Sequence, residues 1–134
     1  MTIRAAVFPD SEAVAVVWLR AKLDGVAVTT DLNGWRAGDE RVVVTRIGGT
    51  PSIAYRVDNP RLDVDCYAAS KAAAHDLAQI VRAQLHDLPE GDHSALGAVV
   101  SHVRDDVGLQ FLPDPDTRAP RYLFTVALAV HPLP

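Results

Sequence analysis

Residues 61–88 read RLDVDCYAASKAAAHDLAQIVRAQLHDL, and the change of period inside this stretch decides the fold. In its first part Leu62, Val64 and Cys66 alternate with Arg61, Asp63, Asp65 and Tyr67. A period of two puts the apolar set on one face of a strand and the charges on the other. Ser70 then offers a hydroxyl to the backbone N–H groups that open a helix without partners. Beyond it Ala74, Leu77, Val81, Leu85 and Leu88 recur at spacings of three and four, which is one stripe of a helix. Lys71, His75, Gln79, Arg82 and His86 form the opposite stripe, expected to face water. Pro89 and Gly91 stop the run. A strand that feeds an amphipathic helix predicts a helix lying across a sheet, and the flanking segments must supply the other strands.

Upstream, Pro9 and Asp10–Ser11 read as a helix start, with Asp10 or Ser11 as cap and Glu12 in the first turn. The helix is expected over Ser11–Leu23, with Val14, Val17, Trp18 and Ala21 on one face and Gly25 closing it in a left-handed conformation. Val26–Leu32 is expected as a strand, followed by an Asn33–Gly34 turn and a polar loop containing Trp35. Trp35 is an apolar residue in a polar place, with two readings: tucked onto the core, or contacting a partner. Arg41–Ile47 is the clearest strand, and its unbroken Val42, Val43 and Val44 predict cover on both faces. Gly48–Gly49 is expected to end it. Ile53–Val57 is a candidate short strand, and Asp58–Asn59–Pro60 a turn.

Downstream, Leu88–Gly97 reads as a polar loop and Ala98–Val107 as a strand ended by Gly108, with Leu109–Leu112 pairing back. The three prolines of Pro113–Pro120 make a loop. Arg121–His131 is the last strand: Tyr122, Phe124, Val126, Leu128 and Val130 form a core face, and Leu123, Thr125, Ala127 and Ala129 a second, small and apolar one. The predicted class is therefore α+β, a mixed and mostly antiparallel sheet covered by two helices, as a single domain over residues 1–134.

At 134 residues with 49% apolar content, the chain has enough material for one core. Its net charge of −4 speaks against tight nucleic-acid binding, which needs clustered cations to displace counterions. Two lysines stand against eleven arginines, a skew expected of a GC-rich genome. Cys66 is the only cysteine, so no intrachain disulfide forms, and its place on the apolar strand face predicts a buried, inert thiol. No basic segment followed by an apolar run and a cleavage site marks a signal peptide, and Ala13–Leu19 is too short to span a bilayer. The expected location is cytosolic.

The histidines do not assemble a metal motif. His75 and His86 are eleven positions apart on the helix, whereas paired ligands sit one turn apart, and His93 has no neighbouring cysteine. Gly48–Gly49 lacks the lysine and hydroxyl residue of a phosphate loop. No serine lies in a nucleophile elbow, and Ser70 is explained as a cap. Asp63 and Asp65 share a strand face without needing an acid–base role. No catalytic, cofactor-binding or metal residue is expected.

Four segments in order carry a resemblance. They are Val42-Val-Val-Thr-Arg-Ile-Gly-Gly49; Asp58-Asn-Pro-Arg-Leu-Asp-Val-Asp65; the alanine-rich Ala68-Ala-Ser-Lys-Ala-Ala-Ala74; and Pro113-Asp-Pro-Asp116 ahead of Arg121-Tyr-Leu-Phe-Thr-Val126. Together they resemble the tail terminator (tail-completion) proteins of long-tailed bacteriophages, the family of the phage lambda U protein, in the form met in phages of GC-rich hosts. The Trp18 helix has no counterpart in that pattern. The resemblance implies a structural virion protein assembled in the host cytoplasm, a ring, usually a hexamer, at the virion tail. Such a ring caps the tail tube, ends its polymerisation and offers the head connector a docking surface. Its partners would be further copies of itself, the tail tube protein and the head connector protein, with DNA passing through the channel and no cofactor. Two other readings are a head-to-tail connector or minor capsid protein, and a small ligand-binding or enzymatic α+β domain. For a ring, Leu123, Thr125, Ala127 and Ala129 are the candidate interface on one side, and Asp63 and Asp65 on the other, meeting arginines such as Arg41 or Arg121.

Overall fold

The computed structural model describes residues 7–51 and 56–133. The chain order is α1 (Ser11–Lys22), β1 (Val28–Thr29), β2 (Arg41–Pro51), β3 (Asp58–Tyr67), α2 (Lys71–His86), β4 (Ala98–Phe111) and β5 (Arg121–Pro132). The strands form one sheet in the order β1-β2-β3-β5-β4. Among the described residues the β1–β2 pair is parallel, and β2–β3, β3–β5 and β4–β5 are antiparallel. This is the mixed, mostly antiparallel α+β arrangement that the pattern predicts.

Both helices lie on the same side of the sheet: α1 over β1 and β2, α2 over β3, β5 and β4. Val14 and Leu19 of α1, and Leu77, Val81 and Leu85 of α2, close over Val42, Val44, Leu62, Val64, Phe124, Val126 and Leu128 in one continuous core. Ser70 caps α2, its hydroxyl accepting from the Ala73 amide, and Asp10 caps α1 by accepting from the Ala13 amide. Val42, Val43 and Val44 are all buried, as an unbroken run with both faces covered requires. Among the described residues no helix is long and apolar enough to cross a membrane.

The differences from the sequence reading have physical causes. In α1 the buried positions are Ser11, Val14, Ala15, Val16 and Leu19, whereas Val17 and Ala21 are exposed. Apolar residues run almost all round this helix, so periodicity has no contrast with which to choose a face. The strand expected over Val26–Leu32 is reduced to two residues.

Gly48–Gly49 does not end β2. The strand passes through both glycines with a register shift between Arg46 and Gly49, and each takes a positive φ (109° and 102°). A Cβ on Gly49 would stand 2.0 Å from the Asn59 carbonyl oxygen, so only glycine lets the two backbones meet there. The partner of that bulge is the segment Asp58–Asn59–Pro60, which belongs to β3 and is not a turn. Pro60 is tolerated because the β3–β5 ladder has no partner opposite residues 59 and 60. Of the candidate strand Ile53–Val57, residues 53–55 lie outside the described residues, and Arg56 and Val57 are not in a strand.

Gly108 likewise does not break β4, which continues to Phe111 as one edge strand with three register shifts against β5. Bulges of this kind twist an edge away from further pairing. The 88–97 loop contains two single 3-10 turns, Leu88–Glu90 and Ser94–Leu96. The polar stripe of α2 does not simply face water. Lys71 sits over the Phe111 ring, His75 meets Tyr122 edge-on, and Arg82 and His86 both engage Asp105 of β4.

Candidate functional site

Because both helices cover one side, the alternate residues of β2, β3, β5 and β4 form an open face. The register brings together the six residues expected at an interface. Asp63 is paired with Thr125, Asp65 with Leu123, and Arg61 with Ala127, with Ala129 further along β5. They therefore make one surface. The expectation that Asp63–Asp65 and the β5 strip would supply two opposing surfaces is corrected by the adjacency of β3 and β5, which the sequence alone does not reveal.

The face is already knitted within the subunit. The Thr125 hydroxyl donates to Asp63 at 2.6 Å. Arg121 stands 3.9 Å from Asp65, so it is occupied inside the chain. Arg41 is occupied too: its guanidinium donates to the Thr29 hydroxyl and to the carbonyls of Asp31 and Asn33, which fastens the 29–33 segment to β2. Burial pushes the Asp65 carboxyl above the usual carboxylate range; Arg121 opposes that, and Asp63 and Asp114 add to it. Thr125 and Ala127 are buried even in the single chain, 4% and 5% exposed.

One end of the face is covered. Trp35 packs on Tyr67 with ring centroids 4.8 Å apart, joined by Val43, Ala119 and Leu32 in a second small cluster. Of the two readings of Trp35, the structure shows the tucked one, with its indole N–H donating to the Asp39 carbonyl. Asp114 anchors the proline loop beside it by accepting from the Asp116 and Thr117 amides, which hold its carboxyl below the ordinary range.

The other end opens into a cleft of about 440 Å³. Arg61 on β3 and Arg104 on β4 lie in register with the same residue, Ala127 of β5, one on each side. His102 stands opposite Ala129, and the Gly49 bulge and Asn59 form the far wall. Asp106 holds the two arginines from outside this lining, accepting from Arg61 Nε at 2.7 Å and lying 3.5 Å from Arg104 Nη1. Sequence reasoning passes over this cluster, since Arg61, His102 and Arg104 meet only through the strand order β3-β5-β4.

The remaining candidates have local roles. His93 is buried, its Nε2 2.6 Å from the Leu88 carbonyl and its ring edge-on to Trp18. Cys66 is buried, and burial pushes its thiol far up, away from the reactive thiolate. Among the described residues no group of three or more His, Cys, Asp or Glu side chains is placed to hold a metal ion. Comparison with family models and with curated proteins gives no match.

Proposed function

We propose that this chain is a structural virion subunit, a phage tail terminator that closes into a ring on the tail tube, stops its growth and presents a docking surface to the head. The reading is non-catalytic: the chain acts by shape and self-association. Its chief support is the one-sided helical cover, which leaves the central strands β3 and β5 with a face of small and carboxylate side chains, in a chain carrying the four ordered segments of the resemblance. Short side chains such as Ala129 permit close approach of another subunit, and the half-buried Leu123 gives that approach an apolar contact.

A ring larger than a dimer needs two different surfaces that meet head to tail. With all six candidate residues on one face, the second surface is sought on the helical layer. There Ile80 is 52% exposed beside a shallow depression lined by Leu23, Val26 and Leu77. Packing the open sheet face of one subunit on this patch of the next is a head-to-tail contact, which gives a ring where its rotation closes, and each contact can be modest when closure and the tube template add to it.

The test is mass by light scattering over a concentration series, then with purified tail tubes added. Rings on the tube, lost in both Leu123→Arg and Ile80→Asp with the fold unchanged by circular dichroism, are the expected result. Absence of any assembly on tubes refutes the terminator reading. Binding to isolated head connectors and not to tubes replaces it with the connector reading.

A further inference from the structure

We propose that the cleft between Arg61 and Arg104 is an oxyanion site for the phosphate group of a small phosphomonoester or of inorganic phosphate. In a chain of net charge −4, this cleft is lined by Arg61, Arg104 and His102, with no carboxylate among the described residues that line it. The two arginines occupy one row across three strands with Ala127 between them. Adjacent strands lie about 4.8 Å apart, so the two backbones stand roughly 10 Å apart. That gap is spanned by two arginine side chains reaching inward to one tetrahedral anion. A longer residue than alanine at position 127 would fill the space in which the anion sits.

Asp106 makes the site pre-organised. It accepts from Arg61 Nε and lies 2.5 Å from Arg61 Nη2, which fixes that edge of the guanidinium and leaves Nη1 for the cleft. Among the described residues Arg104 is held by its long contact to the same carboxylate, and its side chain is 60% exposed. Two guanidiniums sharing one carboxylate carry a net positive charge, which a bound anion neutralises. Guanidinium forks match phosphate oxygens in pairs, and such charge-assisted bonds are the stronger class of hydrogen bond. Gly49 and Asn59 close the far side, so the cleft admits a terminal phosphate more readily than a phosphate flanked by two sugars.

This site does not depend on the ring reading, and its test uses the single full chain. Isothermal titration and 31P line broadening with inorganic phosphate and glycerol phosphate should show saturable binding. Arg104→Gln should weaken it by about tenfold or more, the loss of one charge-assisted contact. Ala127→Leu, which fills the floor and removes no charge, should weaken it likewise, so the result does not rest on one variant's folding. Arg36→Gln, in the exposed 30–40 loop at the covered end of the face and outside the cleft lining, should bind as the parent does. No saturable binding up to about 10 mM, well beyond useful affinity for such a contact set, overturns the site. Equal weakening by Arg36→Gln overturns it too, since it shows bulk charge at work. Duplex DNA binding more tightly than the monoester, and through Arg104, overturns the ligand class.

Discussion

Strands β3 and β5 carry two faces that solve different problems with the same backbone. On the helix side Leu62, Val64 and Cys66 meet Phe124, Val126 and Leu128, all nearly inaccessible, and nothing but apolar contact acts there. On the other side the same two strands pair Asp63 with Thr125, Asp65 with Leu123 and Arg61 with Ala127. Burial is nearly as complete at Thr125 and Ala127, but this face also carries polar links, from Thr125 to Asp63 and from Arg61 to Asp106. The first face buys stability through area removed from water. The second can be rearranged at little cost, since its partners are hydrogen bonds and ion pairs that water or another surface can replace.

The comparison is broken most severely from the core side. Phe124→Ala removes a fully buried aromatic ring from the centre of the sheet and should cost about 3–5 kcal/mol. Gln79→Ala on the exposed surface of α2 should stay within about 0.5 kcal/mol. Urea unfolding midpoints measure both, and comparable losses would mean that the core does not lie where the packing places it. Next in size is Gly49→Ala. It forces a side chain onto a backbone with φ of 102° and into the Asn59 carbonyl, so it should cost more than about 1 kcal/mol. Because the same bulge walls the cleft, phosphate titration of the folded fraction should change as well.

Period was the strong signal, and it was strong only where contrast was high. The Leu62–Cys66 alternation and the Leu77–Val81–Leu85 stripe set apolar against charged residues, and each face followed. In α1 every residue from Ala13 to Leu19 is apolar, so the buried face is settled by what the helix packs on. The two glycine positions read as strand ends in the sequence for a shared reason. Gly48–Gly49 and Gly108 mark bulges inside long strands, and a bulge uses the same residue types as a strand end. Pro60 reads as a turn residue for a related reason, because a proline suits a strand wherever the ladder is already interrupted. The cleft was illegible for another reason: Arg61, His102 and Arg104 are brought together by pairing order, and no spacing in the chain encodes that order.

Two carboxylates sharpen the contrast at smaller scale. Asp105 lies on the helix side of β4, where the hydrogen bond from Arg82 chiefly, with help from His86, holds its carboxyl down at about 2 against some opposing burial. A carboxyl lower in the folded chain than in the unfolded one adds stability that is complete above the unfolded value near 4 and is lost as pH falls toward 2. Its side chain is one-third exposed, so solvent screening keeps the contribution below about 1 kcal/mol. Asp105→Asn should therefore lower the urea midpoint slightly at pH 6, more weakly in high salt, and the parent and variant should converge near pH 2. A gap that persists at pH 2 would place the effect in packing and not in charge.

The smallest effect has the opposite sign. Burial raises Asp65 on the open face, so the folded chain binds a proton there more readily than the unfolded one. Stability then falls as pH rises through the interval between the unfolded and folded values, and the ionised carboxylate is a net cost at neutral pH. Asp65→Asn removes that charge and keeps the shape. It should raise stability at pH 7 by less than about 1 kcal/mol, and the gain should vanish below the ordinary carboxylate range, where both carboxyls are protonated. Arg121 loses an attraction at 3.9 Å, but its Nε still donates to the Leu112 carbonyl at 2.8 Å, so it is not left without a partner. A loss of stability at pH 7 would show that the Arg121 attraction outweighs desolvation, and that this face is held by its ion pair in the same way as Asp105. A gain would show that Asp65 is kept against the subunit's own stability, which is the behaviour of a residue placed for contact with something else.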